Sequence, residues 1–304
     1  MSRMTLLRAS RPNFLVLAPI CAGLGIVLAW RQGVPLEPLH LTLVMTGALL
    51  AHAAVNLLNE YQDFRSGLDL ITIRTPFSGG SGALPENPDA APRVLAAAMA
   101  TTAIVSMIGL YFLWLRGLPM LLPGIGGLIL VLGYTHWITR SPWLCLLAPG
   151  LGFGPVMILA TQIALGGNPG GDSVLVAVVM MLLVSELLLI NQIPDTDADR
   201  RVGRRHLPIV LGLHTAVRVV TALLLGAYVL LALAVAAALL PVAAGLSLLP
   251  LPLAIRVAAQ LPRVLEDPAG LSRILGINVA TILATPVLLG LGLSIGSAIF
   301  PNVA

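Results

Sequence analysis

Long uncharged apolar runs recur from one end of this chain to the other, and nothing else in it constrains the fold as strongly. They cover roughly residues 13–30, 39–59, 93–115, 119–138, 142–165, 173–193, 215–240, 243–261 and 274–299, with the boundary near Pro241 the least sharp. Each approaches the ~20 residues a helix needs to cross ~30 Å of hydrocarbon. Inside a bilayer every backbone N–H and C=O must find a partner within the protein, and runs this long exceed the strands of a barrel. The expected fold is all-α: a polytopic membrane protein of about nine transmembrane helices, forming one integral membrane domain over residues 1–304. Charged residues make up only 10% of the chain, against about 25% in soluble domains. No connection is long enough to hold a soluble domain.

The few charges are placed with a pattern. There is no lysine; all seventeen basic residues are arginine. With nine spans, the N-terminus and the even-numbered loops share one side. That side carries Arg3, Arg8, Arg11, Arg65, Arg74, Arg93, Arg140, Arg200, Arg201, Arg204, Arg205, Arg218, Arg263 and Arg273. The other side carries Arg31 and Arg116, and Arg256 falls inside a span. Positive charge collects in the cytoplasm, so the expected setting is the inner (cytoplasmic) membrane, with the N-terminus and even loops facing the cytoplasm. The net charge of +4 reflects this topology rather than a nucleic-acid partner. The basic segment 1–12 precedes a run without a clear cleavage site, so the first run reads as a span rather than a signal peptide. Cys21 and Cys145 sit in apolar runs, with no spacing that suggests a metal or a disulfide.

Six of the thirteen acidic residues fall in two stretches, 56–69 and 191–205, each at the end of an apolar run. In the first, His52, Asn56, Asn59 and Asp63 are spaced 4, 3 and 4 and share one helical face. A polar stripe on a membrane helix must face protein or water. In the second, Asn191, Asp195 and Asp199 are four apart, one face if the helix survives Pro194, which can instead open a new short helix. Carboxylates and amides without clustered Cys or His suit a hard cation. Mg²⁺ is commonly held by one or two carboxylates together with phosphate oxygens and water. Two such clusters on one face of a bundle suggest a shared diphosphate, with nearby arginines to neutralise it. Asp63 and Asp195 are expected to be dispensable for folding, since neither belongs to the apolar packing. Asp197, Glu86, Asp89, Glu266 and Asp267 read as solvated loop charges.

The order, spacing and topology of these stretches resemble the UbiA superfamily of intramembrane aromatic prenyltransferases, over nearly the whole chain. The family's first motif is approximately Asn-Asp-x-x-Asp followed by another Asp; here it is Asn59-Glu60-Tyr61-Gln62-Asp63 with Asp69. The second, Asp-x-x-x-Asp, is Asp195 to Asp199, followed by Gly203 and the ending Leu211-Gly212. Residues 56–69, with Gly67, resemble most the menaquinone-type branch, which prenylates 1,4-dihydroxy-2-naphthoate; the 77–82 loop and Pro85-Glu86 also look closer to it. The resemblance implies Mg²⁺, a polyprenyl diphosphate donor, an aromatic acceptor and a lipid environment. It implies metal ligation by Asn59, Glu60, Asp63, Asp69, Asp195 and Asp199, with Asn59, Asp63, Asp195 and Asp199 catalytic. Asn56, Arg65, Arg74, Asn191, Arg204 and Arg205 would bind substrate. Glu60 stands where the family has Asp, and Arg204 and Arg205 where it often has Lys. Other acceptors of the family remain open: a hydroxybenzoate, a homogentisate-like ring, a chlorin or a glycerol phosphate lipid.

Other polar residues read less specifically. Glu186, inside a span, is a functional candidate or a partner for Arg256. Tyr134, His136 and Trp137 border an acceptor pocket or anchor the interface. Gly79, Gly80 and Gly82 suggest a lid or an anion nest. His40, His206 and His214 lack metal spacing. A transporter would place its charges near mid-bilayer, whereas here most sit at one surface. The compact acidic motif of CDP-alcohol phosphatidyl transferases is absent.

Overall fold

The computed structural model describes residues 2–135 and 137–299. The described residues form helices and connecting turns, without strands. In chain order the apolar segments are α1 (Pro12–Arg31), α2 (Pro38–Ser66), α3 (Pro88–Arg116), α4 (Leu118–Gly133), α5 (Pro142–Leu165), α6 (Gly171–Asn191), α7 (Leu213–Ala236), α8 (Val242–Arg263) and α9 (Pro268–Gly296). Eight of these are long and apolar enough to cross a membrane; α4 is shorter. The run 119–138 is therefore not the full span expected of it. Its helix stops at Gly133, and the chain turns so that the Thr135 hydroxyl can donate to Asn59 Oδ1 at 3.0 Å.

Helix α2 has 29 residues, about 44 Å at 1.5 Å per residue, and so overshoots a ~30 Å hydrocarbon layer by about two and a half turns. The first acidic stretch thus rides on the helix itself. Gly67, at φ 79°, ends it in the left-handed conformation that a side chain would strain. Helix α5 carries Pro149 and Pro155 internally, and residues Gly152–Leu159 widen into a π-helical stretch. A proline cannot donate to the preceding turn, and a wider turn accommodates the gap. Beside it, α5 meets α6 backbone to backbone. A Cβ on Gly150 would lie 2.2 Å from Ser185 Oγ, and one on Gly154 2.3 Å from the Ala177 carbonyl. Small residues permit this approach where no hydrophobic force joins helices in lipid.

The main core lies between α1, α6, α7 and α9, around Leu24, Leu28, Met180, Leu183, Leu224, Leu231 and Leu289. A second cluster, including Leu57, Leu58, Leu84 and Val94, clamps the segment after α2 onto the bundle end. Outward side chains are apolar too: Trp114 and Leu122 are more than four-fifths exposed, as a lipid-facing surface requires. Glu186 does not pair with Arg256. It is fully buried and accepts from Asn278 Nδ2 at 3.0 Å, while exposed Arg256 reaches Gln260 on its own helix.

Candidate active site

Helices α1 to α6, with Val279 and Leu283 of α9, surround a cavity of about 660 Å³. Most of its wall is apolar, with Leu17, Val44, Phe112, Leu128, Phe153 and Met157 among the lining. Polar groups gather at the ends of α2 and α6. His52, Asn56, Asn59 and Asp63 all line it, so the α2 spacing places them as expected. Helix α6 ends at Asn191, the chain turns through Pro194, and a short helix restarts at Thr196–Arg201. The helix does not run through Pro194, yet Asn191, Asp195 and Asp199 still converge on the cavity, while Asp197 is exposed.

The two stretches are joined by one guanidinium. Arg204 donates to Asp63 Oδ1 through Nη2 and to Asp199 Oδ1 through Nη1, the latter at 2.9 Å. The remaining oxygens are held as well: Asp63 Oδ2 accepts from Asn59 Nδ2 at 2.8 Å, and Asp199 Oδ2 meets His206 Nε2 at 2.8 Å. Burial works against the charge on Arg204, but the adjacent Asp63 and Asp199 outweigh it and hold the group above its ordinary pKa. Asp63 is therefore part of the buried packing, contrary to the expectation that it is dispensable for folding.

Asp69 and Asp195 are placed differently. Both line the cavity, and Asp69 Oδ2 and Asp195 Oδ1 are buried without a hydrogen-bond partner among the described residues, as is Asn191 Oδ1. Asp195 Oδ2 accepts from the Gly79 amide at 3.1 Å, which ties the loop after α2 to the second stretch. That amide is aimed at a protein carboxylate, so Gly79 does not serve an anion nest. Burial pushes both carboxyls up to about 7, with Glu60 and Asp63 adding to Asp69, and Asp199 adding to Asp195. Such orphaned oxygens are costly without a donor or a cation. One carboxylate from each side of a cavity mouth fits Mg²⁺ shared with phosphate oxygens. Among the described residues there is no cage of three close acidic, His or Cys ligands.

Four candidates lie elsewhere. Glu60 is fully buried away from the cavity; it accepts from the Ser81 hydroxyl and amide and faces Arg11 Nη2 at 3.5 Å. It closes the loop rather than facing a metal. Arg74 is exposed and pairs with Glu86 at 3.5 Å. Arg205 is exposed, and Arg65 lies beside the cavity in a separate cleft. Asn56 lines the cavity and donates to the Ser10 carbonyl at 2.9 Å. Sequence reasoning missed two members. His206 was set aside for want of metal spacing, but its partner is a carboxylate. Arg11 was counted only for topology. It lines the cavity in a left-handed conformation, φ 51°, with its buried Nε unpartnered among the described residues. That conformation costs a non-glycine residue about 1–2 kcal/mol; the only warning in the sequence is an arginine directly before Pro12. Tyr134 lines the cavity, Trp137 is exposed, and His136 lies outside the described residues.

The chain is similar to proteins of one family over most of its length. The model of the UbiA prenyltransferase family matches residues 16–272. Two curated relatives are 1,4-dihydroxy-2-naphthoate octaprenyltransferases. That of Bacillus subtilis (strain 168) is 28% identical over 72% of this chain and 70% of its own, and that of Escherichia coli (strain K12) is 27% identical over 94% of both. Among solved structures, a UbiA homolog from Aeropyrum pernix K1 superposes with a TM-score of 0.69 at 20% identity, over 93% of this chain and 98% of its own. A homolog from Archaeoglobus fulgidus bound to GPP and Mg²⁺ gives 0.61 at 14%, over 94% and 99%. With the family model covering most of the chain and the helical bundle shared, this protein belongs to the UbiA prenyltransferase family and is a membrane prenyltransferase.

Proposed function

We propose that the protein transfers a polyprenyl group from a polyprenyl diphosphate to 1,4-dihydroxy-2-naphthoate, with Mg²⁺, in menaquinone biosynthesis. The observation that carries this is one buried, unpartnered oxygen on each of two carboxylates, Asp69 Oδ2 and Asp195 Oδ1, at the polar end of an apolar cavity. The naphthoate acceptor is supported by the two curated relatives, and Mg²⁺ by the ion bound with GPP in the Archaeoglobus homolog. A divalent ion in such a site neutralises diphosphate oxygens and makes diphosphate a better leaving group. Asp69 and Asp195 are its proposed holders, with Asn191 Oδ1 as a further donor. Arg11 and Arg204 face the diphosphate from the protein side, and Asn59 and His206 hold Asp63 and Asp199 in place around Arg204. The allylic C–O bond breaks with its electron pair leaving on diphosphate. An electron-rich acceptor carbon forms the new C–C bond, and the carboxyl it carries then leaves as CO₂ while its bonding electron pair returns to the ring. Apolar walls keep water from the allylic cation. Another acceptor of the family is the runner-up. A transporter reading is weakened because Glu186, deep in the bundle, does not line the cavity. The test is purified protein in nanodiscs with Mg²⁺, prenyl diphosphates and an acceptor panel. Prenylated naphthoate is expected, and prenylation of a different acceptor alone would reassign the substrate.

Two predictions follow from the geometry. Leu110 and Ile125 line the cavity and are more than half exposed, and a sideways opening is proposed there, between α3 and α4. A long isoprenoid would leave by this opening into lipid. Gly124 lines it with open space where a Cβ would go. Gly124→Phe should reduce turnover with a forty-carbon donor at least tenfold, and leave a five-carbon donor nearly unaffected. Equal losses for both would exclude this route. The second concerns pH. Carboxyls near pKa 7 hold protons at pH 6 that a cation must displace. The Mg²⁺ concentration for half-maximal turnover should therefore fall as pH rises from 6 to 8, by about tenfold per pH unit below 7 for each displaced proton.

The N-terminus and both acidic stretches are proposed to face the cytoplasm, on the arginine distribution. Arg31 and Arg116 instead bond the Leu293 and Ala164 carbonyls near helix ends. With α4 crossing as a short ninth span, reporter fusions near both termini should report opposite sides.

A further inference from the structure

The Arg204 ion pair has two faces. One closes the main cavity. The other forms a wall of a second cleft of about 350 Å³, room for about a dozen waters at ~30 Å³ each. Asp63, Thr139 and Arg204 belong to both linings. The rest of the cleft is polar apart from Val202 and includes Arg65 and Arg140. Its hydroxyls already have acceptors: Ser66 donates to the Asp63 carbonyl at 2.9 Å, Thr135 to Asn59 at 3.0 Å and Thr139 to the Thr135 carbonyl at 2.9 Å. Its one lining carboxylate, Asp63, is engaged by Arg204 and Asn59. The side chains of Arg65 and Arg140, by contrast, have no ion-pair or hydrogen-bond partner among the described residues. Two unpartnered guanidinium groups beside a third form a strongly anion-selective surface, since each presents a planar fork that fits phosphate oxygens.

We infer that this cleft is a binding site for a small polyanion, inorganic diphosphate foremost, on the water side of the Arg204 wall. The two unpartnered guanidinium groups of Arg65 and Arg140 suit a multiply charged oxyanion; a monocarboxylate needs only one. The choice of diphosphate rests on the proposed reaction, which releases it on the other face of the same arginine. A swing of the Arg204 side chain would pass the anion from cavity to cleft and let it leave without crossing the apolar chamber.

The test measures binding, not transfer, so its failure is separate from failure of the proposed reaction. Titrate inorganic diphosphate into full-length protein in nanodiscs at pH 8 with EDTA present, where Asp69 and Asp195 are charged and repel it from the main cavity. The wild type should bind, and more weakly as salt increases. The double variant Arg65→Gln/Arg140→Gln should bind at least tenfold more weakly, whereas Arg93→Gln, exposed and lining neither the cavity nor the cleft, should bind as the wild type does. A thermal melt matching the wild type shows that the double variant is folded, and the single Arg140→Gln serves if it is not. No binding by the wild type in EDTA, equal binding by the Arg65 and Arg140 variants, or an equal loss in Arg93→Gln would overturn the proposal. A hydroxylated arenecarboxylate that binds the cleft more tightly than diphosphate would overturn the assignment to diphosphate and give the cleft to the acceptor.

Discussion

Arg204→Gln is expected to abolish prenyl transfer and to lower the thermal stability of the protein together. Its guanidinium is the link between Asp63 on α2 and Asp199 beyond α6, more than 130 residues apart. Both carboxylates are almost wholly buried. Removing one member of such a buried arrangement leaves uncompensated charge and costs about 3–5 kcal/mol. Arg204→Lys should recover stability only partly, because an ammonium cannot present the fork that bridges two carboxylates. Adding Asp63→Asn to Arg204→Gln should restore part of the melting temperature by removing one stranded charge, without restoring turnover. Melting in detergent beside turnover in nanodiscs separates the two effects. An Arg204→Gln protein with normal melting and normal turnover would show that the bridge is dispensable.

Asp69→Asn and Asp195→Asn should behave in the opposite way, losing activity without losing stability. Each is expected to reduce turnover on the order of 10²–10³-fold, the scale for removing one preorganised group that faces developing charge. If the two hold one diphosphate through metal, they act as a unit, and the double variant should be scarcely worse than either single one. Asp197→Asn, exposed to solvent, should retain near-normal turnover. Stability follows from the raised carboxyl pKa of about 7. In chelator the folded state prefers these groups neutral. Their contribution is complete below the unfolded value near 4 and is lost as pH rises through 7. At pH 8 the neutral Asn variants should therefore melt no lower than the wild type. A large drop in melting temperature would mean that the carboxylates are structural. Full turnover with a chelator present would remove the metal from the reading.

How much of this was legible beforehand depended on how local the controlling physics was. Apolar run length is a local property set by the bilayer, so the sequence alone established an all-helical membrane bundle. It missed only the shortness of α4, whose end is fixed by where Thr135 must reach Asn59. The polar face of α2 was readable because helical periodicity turns spacing into direction, and His52, Asn56, Asn59 and Asp63 all line the cavity. The break at Pro194 was readable as a possibility, because proline removes a donor. The sequence could not sort the carboxylates by partner. Asp63, Asp69, Asp195 and Asp199 look alike in one dimension, yet Arg204 and His206 engage two of them and leave two with bare oxygens. It could not separate Arg204 from Arg205 either, since adjacent residues in an irregular segment point in different directions. Nor could it find Arg11, which enters the cavity only because the first turn packs under the loop after α2. Local chemistry chose the kinds of groups at the membrane surface. Which of them pair, and which stay open for a ligand, was decided by how the chain folds back on itself. Arg204 reaches Asp63 across 141 residues and the Gly79 amide reaches Asp195 across 116. Even the nearby Asp199 partners, 5 and 7 residues away, depend on the path of an irregular segment that only the tertiary fold contains.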